Sequence, residues 1–161
     1  MPIDIFRFSF IFLCFLLSFW QGLPLAAFLT LCADFFLIFT KEYAVGISVF
    51  LFAHLAYLQN LKGKPFPWAT FLLLPLLFCL PVVFLGVCYA VLFSFHIKET
   101  IKKVQRETCP KLYLLGLILF VCCDIAVVWG YFHTPAPWLI WLFYAPSQLL
   151  LALTAKFKPI P

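Results

Sequence analysis

Long apolar runs dominate this chain, and short breaks that carry charge, proline or glycine separate them. Within the runs the apolar positions are continuous and do not alternate with polar ones, which is typical of helices that cross a bilayer. The breaks divide the chain into predicted helical spans at residues 5–20, 23–39, 43–59, 66–80, 81–96, 112–131 and 137–155. The predicted fold class is therefore all-α, a polytopic transmembrane helical bundle of about seven short spans.

Two of these divisions split runs that are too long for one span. Residues 66–96 would form a single helix of about 46 Å, against a hydrocarbon core of about 30 Å. Pro75 and Pro81 provide natural breaks in that run. Residues 5–39 are also too long for one span, and the sequence Gln21-Gly22-Leu23-Pro24 is typical of a turn.

The composition agrees with a membrane environment. Hydrophobic residues make up 66% of the chain and charged residues only 11%, and the mean hydropathy is +1.11. A soluble domain carries about 25% charged residues, so water would leave this chain nowhere to place its apolar side chains. No linker divides the sequence, which predicts a single integral membrane domain over residues 1–161. The first run lacks the basic cluster of a signal peptide, since it carries Asp4 beside Arg7, and it is interpreted as a retained span.

The net charge of +5 comes from residues in the breaks between apolar runs, so it indicates membrane topology and not nucleic-acid binding. Seven spans place two basic residues on one side, Arg7 and Lys41. They place nine on the other side: Lys62, Lys64, Lys98, Lys102, Lys103, Arg106, Lys111, Lys156 and Lys158. The positive-inside rule then predicts an external N-terminus and a cytoplasmic C-terminus, in a cell inner membrane.

Four polar side chains lie deep inside apolar runs, where such groups are costly and usually functional. They are Asp34, His54, Asp124 and Gln148. Counted from the span midpoints, each lies about 4 Å from the midplane at 1.5 Å per residue. Because four different spans contribute one each, we expect a single polar chamber near the midplane.

Three tyrosines extend this predicted chamber, because Tyr57 shares a helix face with His54, Tyr144 shares one with Gln148, and Tyr89 adds a polar tip in the fifth span. Hydrogen bonds that only hold helices together would explain a lone His or Gln equally well, and tyrosines also anchor spans at interfaces. His96 and His133 end spans on opposite sides in this topology, so a three-histidine zinc site is rejected. No cysteine pattern is typical of a metal site or a disulfide framework, and neither a metal nor a cofactor is expected.

In their order along the chain, these polar positions resemble the YhhN-like lysoplasmalogenase family of membrane proteins. That family carries a Gly-Asp helix, a Gly-His-x-x-Tyr helix, a Ser-Asp helix and a final helix with Tyr and Gln. The matching segments here are Ala33-Asp34, Ala53-His54-Leu55-Ala56-Tyr57, Cys123-Asp124 and Tyr144-Ala145-Pro146-Ser147-Gln148. Alanine replaces two family glycines and Cys123 replaces the serine, and the family usually has one further span before the first of these.

The resemblance implies hydrolysis of the vinyl ether bond of a lysophospholipid, the lysoplasmalogen, to a fatty aldehyde and a glycerophospho-head group. Such a reaction needs a protonated acid for the β-carbon and an anion that stabilises the resulting oxocarbenium ion. Asp124 is the expected acid and Asp34 the anion, with His54 as the third catalytic residue. The expected substrate-binding residues are Tyr57, Tyr144 and Gln148 in the chamber and Lys62 and Lys64 at the head group.

Two other functions remain open from the residues alone. Buried acids also serve proton-linked transporters, so a small carrier fits the same positions. A chain of this length leaves little room for the paired halves common in carriers, although a homodimer would restore that symmetry. A lipid-binding membrane protein without chemistry is the third alternative.

Overall fold

The structure is a computed structural model that describes residues 2–106, 110–134 and 136–154. Within these ranges every regular element is helical, which confirms the predicted all-α class. The main helices are α1 (Pro2–Trp20), α2 (Pro24–Phe35), α3 (Tyr43–Leu61), α5 (Val82–Gln105), α6 (Lys111–Phe132) and α7 (Pro137–Thr154). A π-helical turn (Phe36–Thr40) continues α2, and a 3₁₀-helix (Trp68–Leu73) leads into the short α4 (Leu74–Phe78).

Two glycines end helices at the positions where the sequence predicts turns. Gly22 has a φ of +87° and Gly63 a φ of +65°, a left-handed conformation that glycine adopts without a Cβ penalty. After α3, the amide of Gly63 donates to the Asn60 carbonyl and the amide of Lys64 to the Gln59 carbonyl, which is the Schellman pattern. The same pattern follows α1 at Gly22, and it turns the chain into α2 as predicted.

The predicted break at Pro81 is confirmed, because α5 begins at Val82 directly after it. The helix does not end where that span is predicted to end, at residue 96. The helix continues to Gln105, so that His96 lies well inside α5 and not at its end. The positive charges after residue 97 mark the end of the apolar stretch, and they do not interrupt the helix. The predicted end of the last span, Ala155, lies outside the described residues.

Five helices are long and apolar enough to cross a membrane: α1, α3, α5, α6 and α7. The predicted second and fourth spans correspond to shorter apolar helices, Pro24–Thr40 and Trp68–Phe78. These lengths and compositions indicate a multi-pass membrane protein.

Large apolar side chains both fill the interior of the bundle and cover its outside, as expected where lipid is the solvent. Of the most apolar stretch of α3, 61% is buried, against 17% for α1 and for α5, so α3 is the central helix. Helix α6 shows the arrangement clearly, since Leu117 is fully buried while Ile125, Val128 and Trp129 are exposed.

The basic residues lie at two opposite ends of the bundle, as the charge pattern predicts. Contacts between helix ends identify the two ends. The Arg7 guanidinium lies 5.2 Å from the ring centroid of Trp141, and the ring centroids of Phe8 and Phe39 are 5.3 Å apart. The starts of α1 and α7 and the end of α2 therefore lie together, at what we call the Arg7 end. The opposite end, the Lys62 end, carries Lys62, Lys64, Lys98, Lys102, Lys103, Arg106 and Lys111. Lys156 and Lys158 lie outside the described residues.

Candidate functional site

Three helices turn matching stripes of side chains toward one another. The stripes are Phe50, His54, Tyr57 and Leu61 on α3; Tyr89, Phe93, His96 and Thr100 on α5; and Tyr113, Leu117, Phe120 and Asp124 on α6. Each stripe follows the spacing i, i+4, i+7 and i+11, which keeps its residues on one helix face. Because the stripes mix apolar and polar positions, the packing of these helices brings five polar side chains into contact.

Four hydrogen bonds join those five side chains in a line. The Tyr113 hydroxyl lies 3.0 Å from His96 Nε2, and His96 Nδ1 lies 3.3 Å from His54 Nδ1. On the other side of the ring, His54 Nε2 lies 3.2 Å from the Tyr89 hydroxyl, which donates to Asp124 Oδ2 at 2.8 Å. We call this line the polar chain; its members are Tyr113, His96, His54, Tyr89 and Asp124.

One assignment of protons satisfies every contact in the polar chain. Since the Tyr89 hydroxyl donates to Asp124, it accepts from His54 Nε2, and His54 Nδ1 is left as an acceptor. His96 Nδ1 then donates to His54, and His96 Nε2 accepts from the Tyr113 hydroxyl. The two facing Nδ1 atoms cannot both carry a proton, so at least one of the two rings is neutral.

Aromatic rings enclose the two histidines of the polar chain, whereas Tyr89 and Asp124 are half-buried. The Phe93 ring centroid lies 4.4 Å from that of His54, and Phe120 meets the same imidazole edge-on at 5.4 Å. Tyr57 stacks on His96 with an interplanar angle of 14°. His54 and His96 are 2% and 0% exposed. Hydrogen bonds in such a setting are stronger than in water, and an unmade one is costly.

Asp34 has a separate partner. The Tyr144 hydroxyl on α7 donates to Asp34 Oδ2 on α2, and both residues are buried. One turn after Tyr144, Gln148 is also buried, and its side-chain nitrogen has no hydrogen-bond partner in the described part of the chain. Buried amide groups are rarely left without a partner, so the Gln148 nitrogen is a donor available to a bound group.

Phe120 links the two carboxyl groups into one site. Its ring centroid lies 5.4 Å from His54 and 5.6 Å from Tyr144. Cys123, on the same helix, lies within electrostatic range of both Asp34 and Asp124. No hydrogen bond joins the two carboxyls in the described ranges, because each accepts from its own tyrosine. The predicted chamber thus contains two carboxyl sites that lie side by side.

Lys62 and Lys64 lie at the end of α3, in the turn around Gly63, and both are exposed. Lys62 is within electrostatic range of Glu99 on α5. His54 is eight residues before Lys62, which is about 12 Å along the helix. The two lysines therefore lie at the Lys62 end and not inside the chamber.

His96 meets His54, which the sequence did not predict, because α5 continues past residue 96 and packs its stripe against α3. His133 is exposed and stacks on Trp129, apart from this pair. In the residues that the structure describes, no three His, Cys, Asp or Glu side chains form a cluster that could hold a metal ion. Sequence reasoning also missed Tyr113, although its spacing to Leu117, Phe120 and Asp124 is the signal that identifies its helix face.

The fold and this site define a class: an all-α, multi-pass membrane protein with one buried and one half-buried carboxyl group beside a cluster of tyrosines and histidines. The chain matches no protein-family model, no curated protein and no solved structure.

Proposed function

We propose that this protein is a membrane hydrolase that cleaves the vinyl ether bond of lysoplasmalogens. The observation that carries the proposal is the pair of carboxyl groups that accept separate tyrosine hydrogen bonds on either side of Phe120. Two carboxyls in different environments can hold different protonation states, which acid–base catalysis requires. The unpartnered amide nitrogen of Gln148 adds a donor for the ether oxygen or for a water molecule.

In the first step of the proposed reaction, Asp124 transfers a proton to the β-carbon of the vinyl ether. The π electrons form the new C–H bond, and an oxocarbenium ion remains on the α-carbon and the ether oxygen. The carboxylate of Asp34 stabilises that cation, as a fixed anion does in a site of low dielectric. Asp124 can accept the Tyr89 bond on one oxygen and hold the transferable proton on the other.

In the second stage, water attacks the α-carbon and its proton passes to Asp34. The resulting hemiacetal then breaks its bond to the glycerol oxygen, which takes the proton from Asp34. Asp124 takes the hydroxyl proton as the carbonyl of the aldehyde forms. Both carboxyl groups return to their starting states, so the reaction consumes one water molecule and no net proton.

The direct test measures aldehyde release from a lysoplasmalogen by the purified protein in detergent. A lysophospholipid with an ordinary alkyl ether is the matched control, because it has no vinyl carbon to protonate. Release of aldehyde from the vinyl ether alone is expected. A protein that releases none, while remaining folded, would refute the proposed hydrolase.

The lysines at the Lys62 end are proposed to hold the substrate phosphate. Replacing Lys62 and Lys64 with Gln should raise KM with little change in kcat, since a phosphate contact acts equally on the ground state and the transition state. The expected rise is up to about five-fold for each lysine, the upper range for an exposed ion pair. Lys111→Gln, at the same end of the bundle, is the control. If the double variant is correctly inserted and its KM is unchanged, the phosphate does not bind at these two lysines.

The Lys62 end is also proposed to face the cytoplasm, because it carries most of the basic residues. A reporter fused after Pro161 should then be cytoplasmic and a tag before Met1 external, in an inner membrane. Both expectations can be checked by accessibility of the two tags in intact cells. Detection of both tags on one side would contradict the proposed topology and an odd number of spans.

A proton-linked carrier is the second candidate function, and the polar chain is the observation that favours it. A line of hydrogen bonds between ionisable groups inside a membrane is a common feature of proton pathways. Aldehyde release separates the two candidates, because a carrier leaves the vinyl ether intact.

A further inference from the structure

The two carboxyl groups differ in one respect that the reaction scheme does not use. Asp124 is joined to a line of four further polar side chains, whereas Asp34 is joined to Tyr144 alone among the side chains described. Every member of the polar chain can both donate and accept a hydrogen bond.

Its two ends lie at different depths. Tyr113 is the third residue of α6, two residues after the exposed Lys111, and Asp124 is eleven residues further along the same helix. That separation is about 16 Å at 1.5 Å per residue, roughly half of a hydrocarbon core of about 30 Å. The polar chain therefore runs from Tyr113, which is fully buried near the Lys62 end of the bundle, to the half-buried carboxyl of Asp124.

We propose that the polar chain is a proton path that exchanges the proton of Asp124 with the aqueous phase at the Lys62 end. With the proton assignment given above, every donor points toward Asp124. If each proton moves one bond along, Asp124 Oδ2 gains a proton, and Tyr113, which is fully buried, loses one that must be replaced from the Lys62 end. Each group must then reorient before the next transfer. The inference rests on the proposed hydrolase only for the use of the proton, and the path itself can be measured without substrate.

The surrounding side chains restrict the path to this line. The other titratable groups that face it are Tyr57 on α3, Cys123 on α6, Asp34 on α2 and Tyr144 on α7. Tyr57 stacks its ring on His96, and Tyr144 donates to Asp34, so neither continues the line. Phe93 and Phe120 cover His54 and leave no polar branch there.

The path also gives different roles to the two acids. The proposed reaction returns the proton of Asp124 within each cycle, so the path is needed only to set and restore the protonated starting state, and only Asp124 is joined to such a line among the described contacts. Asp34, which is held by a single tyrosine, suits the carboxylate that is charged when the oxocarbenium ion forms. Tyr113, His96 and Tyr89 are then positioning residues, which act on the reaction through the protonation of Asp124.

The test is the rate at which the protonated carboxyl of Asp124 exchanges in heavy water, followed by infrared spectroscopy. The band is identified by its loss in Asp124→Asn. Tyr89→Phe and Tyr113→Phe each remove one hydroxyl, at opposite ends of the path. Each should slow exchange by at least ~100-fold, the low end of what a positioned group contributes to proton transfer. Tyr131→Phe, the same change at an exposed position on α6, should exchange like the unaltered protein.

Equal exchange rates in all three tyrosine variants would overturn the path, and so would the absence of an Asp124 carboxyl band in the unaltered protein. The two tyrosine substitutions act independently, so one that fails to fold leaves the other to decide. If the tyrosine variants release aldehyde normally and their carboxyl exchange is unaffected, the proton path is rejected and the proposed hydrolase is retained. If Tyr89→Phe and Tyr113→Phe slow the exchange but the unaltered protein releases no aldehyde, the proton path is retained and the proton-linked carrier is favoured.

Discussion

Asp124→Asn is expected to lower aldehyde release by at least ~100-fold, the low end of what general acid–base catalysis contributes. Asparagine keeps the size of the side chain and an oxygen that can accept the Tyr89 hydrogen bond. It removes the proton that the β-carbon of the vinyl ether must receive. The loss should appear in kcat and in kcat/KM together, since the proton is transferred only in the transition state.

The control for this substitution is Glu42→Gln, which neutralises an exposed carboxylate outside the site. Its kcat should equal that of the unaltered protein. Gel filtration and thermal unfolding in detergent should show that the Asp124 variant is folded. Near-normal aldehyde release from a folded Asp124→Asn protein would reject this residue as the acid and leave it as a hydrogen-bond partner of Tyr89.

The members of the site that the sequence identifies are those whose polarity contrasts with their surroundings. Asp34, His54 and Asp124 interrupt apolar runs, so their burial in the bundle follows from the cost of exposing them to lipid. Their pairing does not follow from the sequence. The hydrogen bond between the histidines joins residues 42 apart, and the Tyr144–Asp34 bond joins residues 110 apart. Such pairs depend on how the helices pack.

His96 and Tyr113 show why the remaining members were not predicted. His96 precedes Lys98 by two residues and Tyr113 follows Lys111 by two, so both resemble residues at the membrane surface. Helix α5 continues through the basic segment to Gln105, which places His96 on an interior face. A helical-face count along α5 and α6 identifies both residues, whereas a search for charge in apolar runs does not.

The fourth predicted span shows the limit of apolarity as a signal for the fold. Residues 66–80 are apolar enough for a span, yet the structure contains a 3₁₀-helix and the five-residue α4 there. Pro65 and Pro67 precede this segment and Pro75 lies in it. Each proline removes a backbone donor, which disfavours one continuous α-helix. The hydropathy of the segment does not predict this irregular helical structure.

Tyr144→Phe is expected to destabilise the protein by about 1–3 kcal/mol, the cost of leaving a buried acceptor without its donor. The substitution removes only the hydroxyl that donates to Asp34, and the ring contacts with Phe120 and Trp141 remain. If Asp34 is charged, as the proposed reaction requires, the cost should lie toward the upper end of that range or above it. Denaturation in mixed detergent micelles would measure the change in the free energy of unfolding.

Two further variants show whether this loss comes from the Asp34 hydrogen bond. Tyr43→Phe, at a tyrosine that is 55% exposed, should leave the free energy of unfolding unchanged. Replacing both partners, as in Tyr144→Phe with Asp34→Leu, should recover much of the loss, since two apolar groups need no hydrogen bond. That recovery would measure a coupling between the two side chains. The alternative outcome is that the losses of the two single variants, Tyr144→Phe and Asp34→Leu, simply add in the double variant. In that case the two residues act independently, and the hydrogen bond between α2 and α7 does not stabilise the carboxylate.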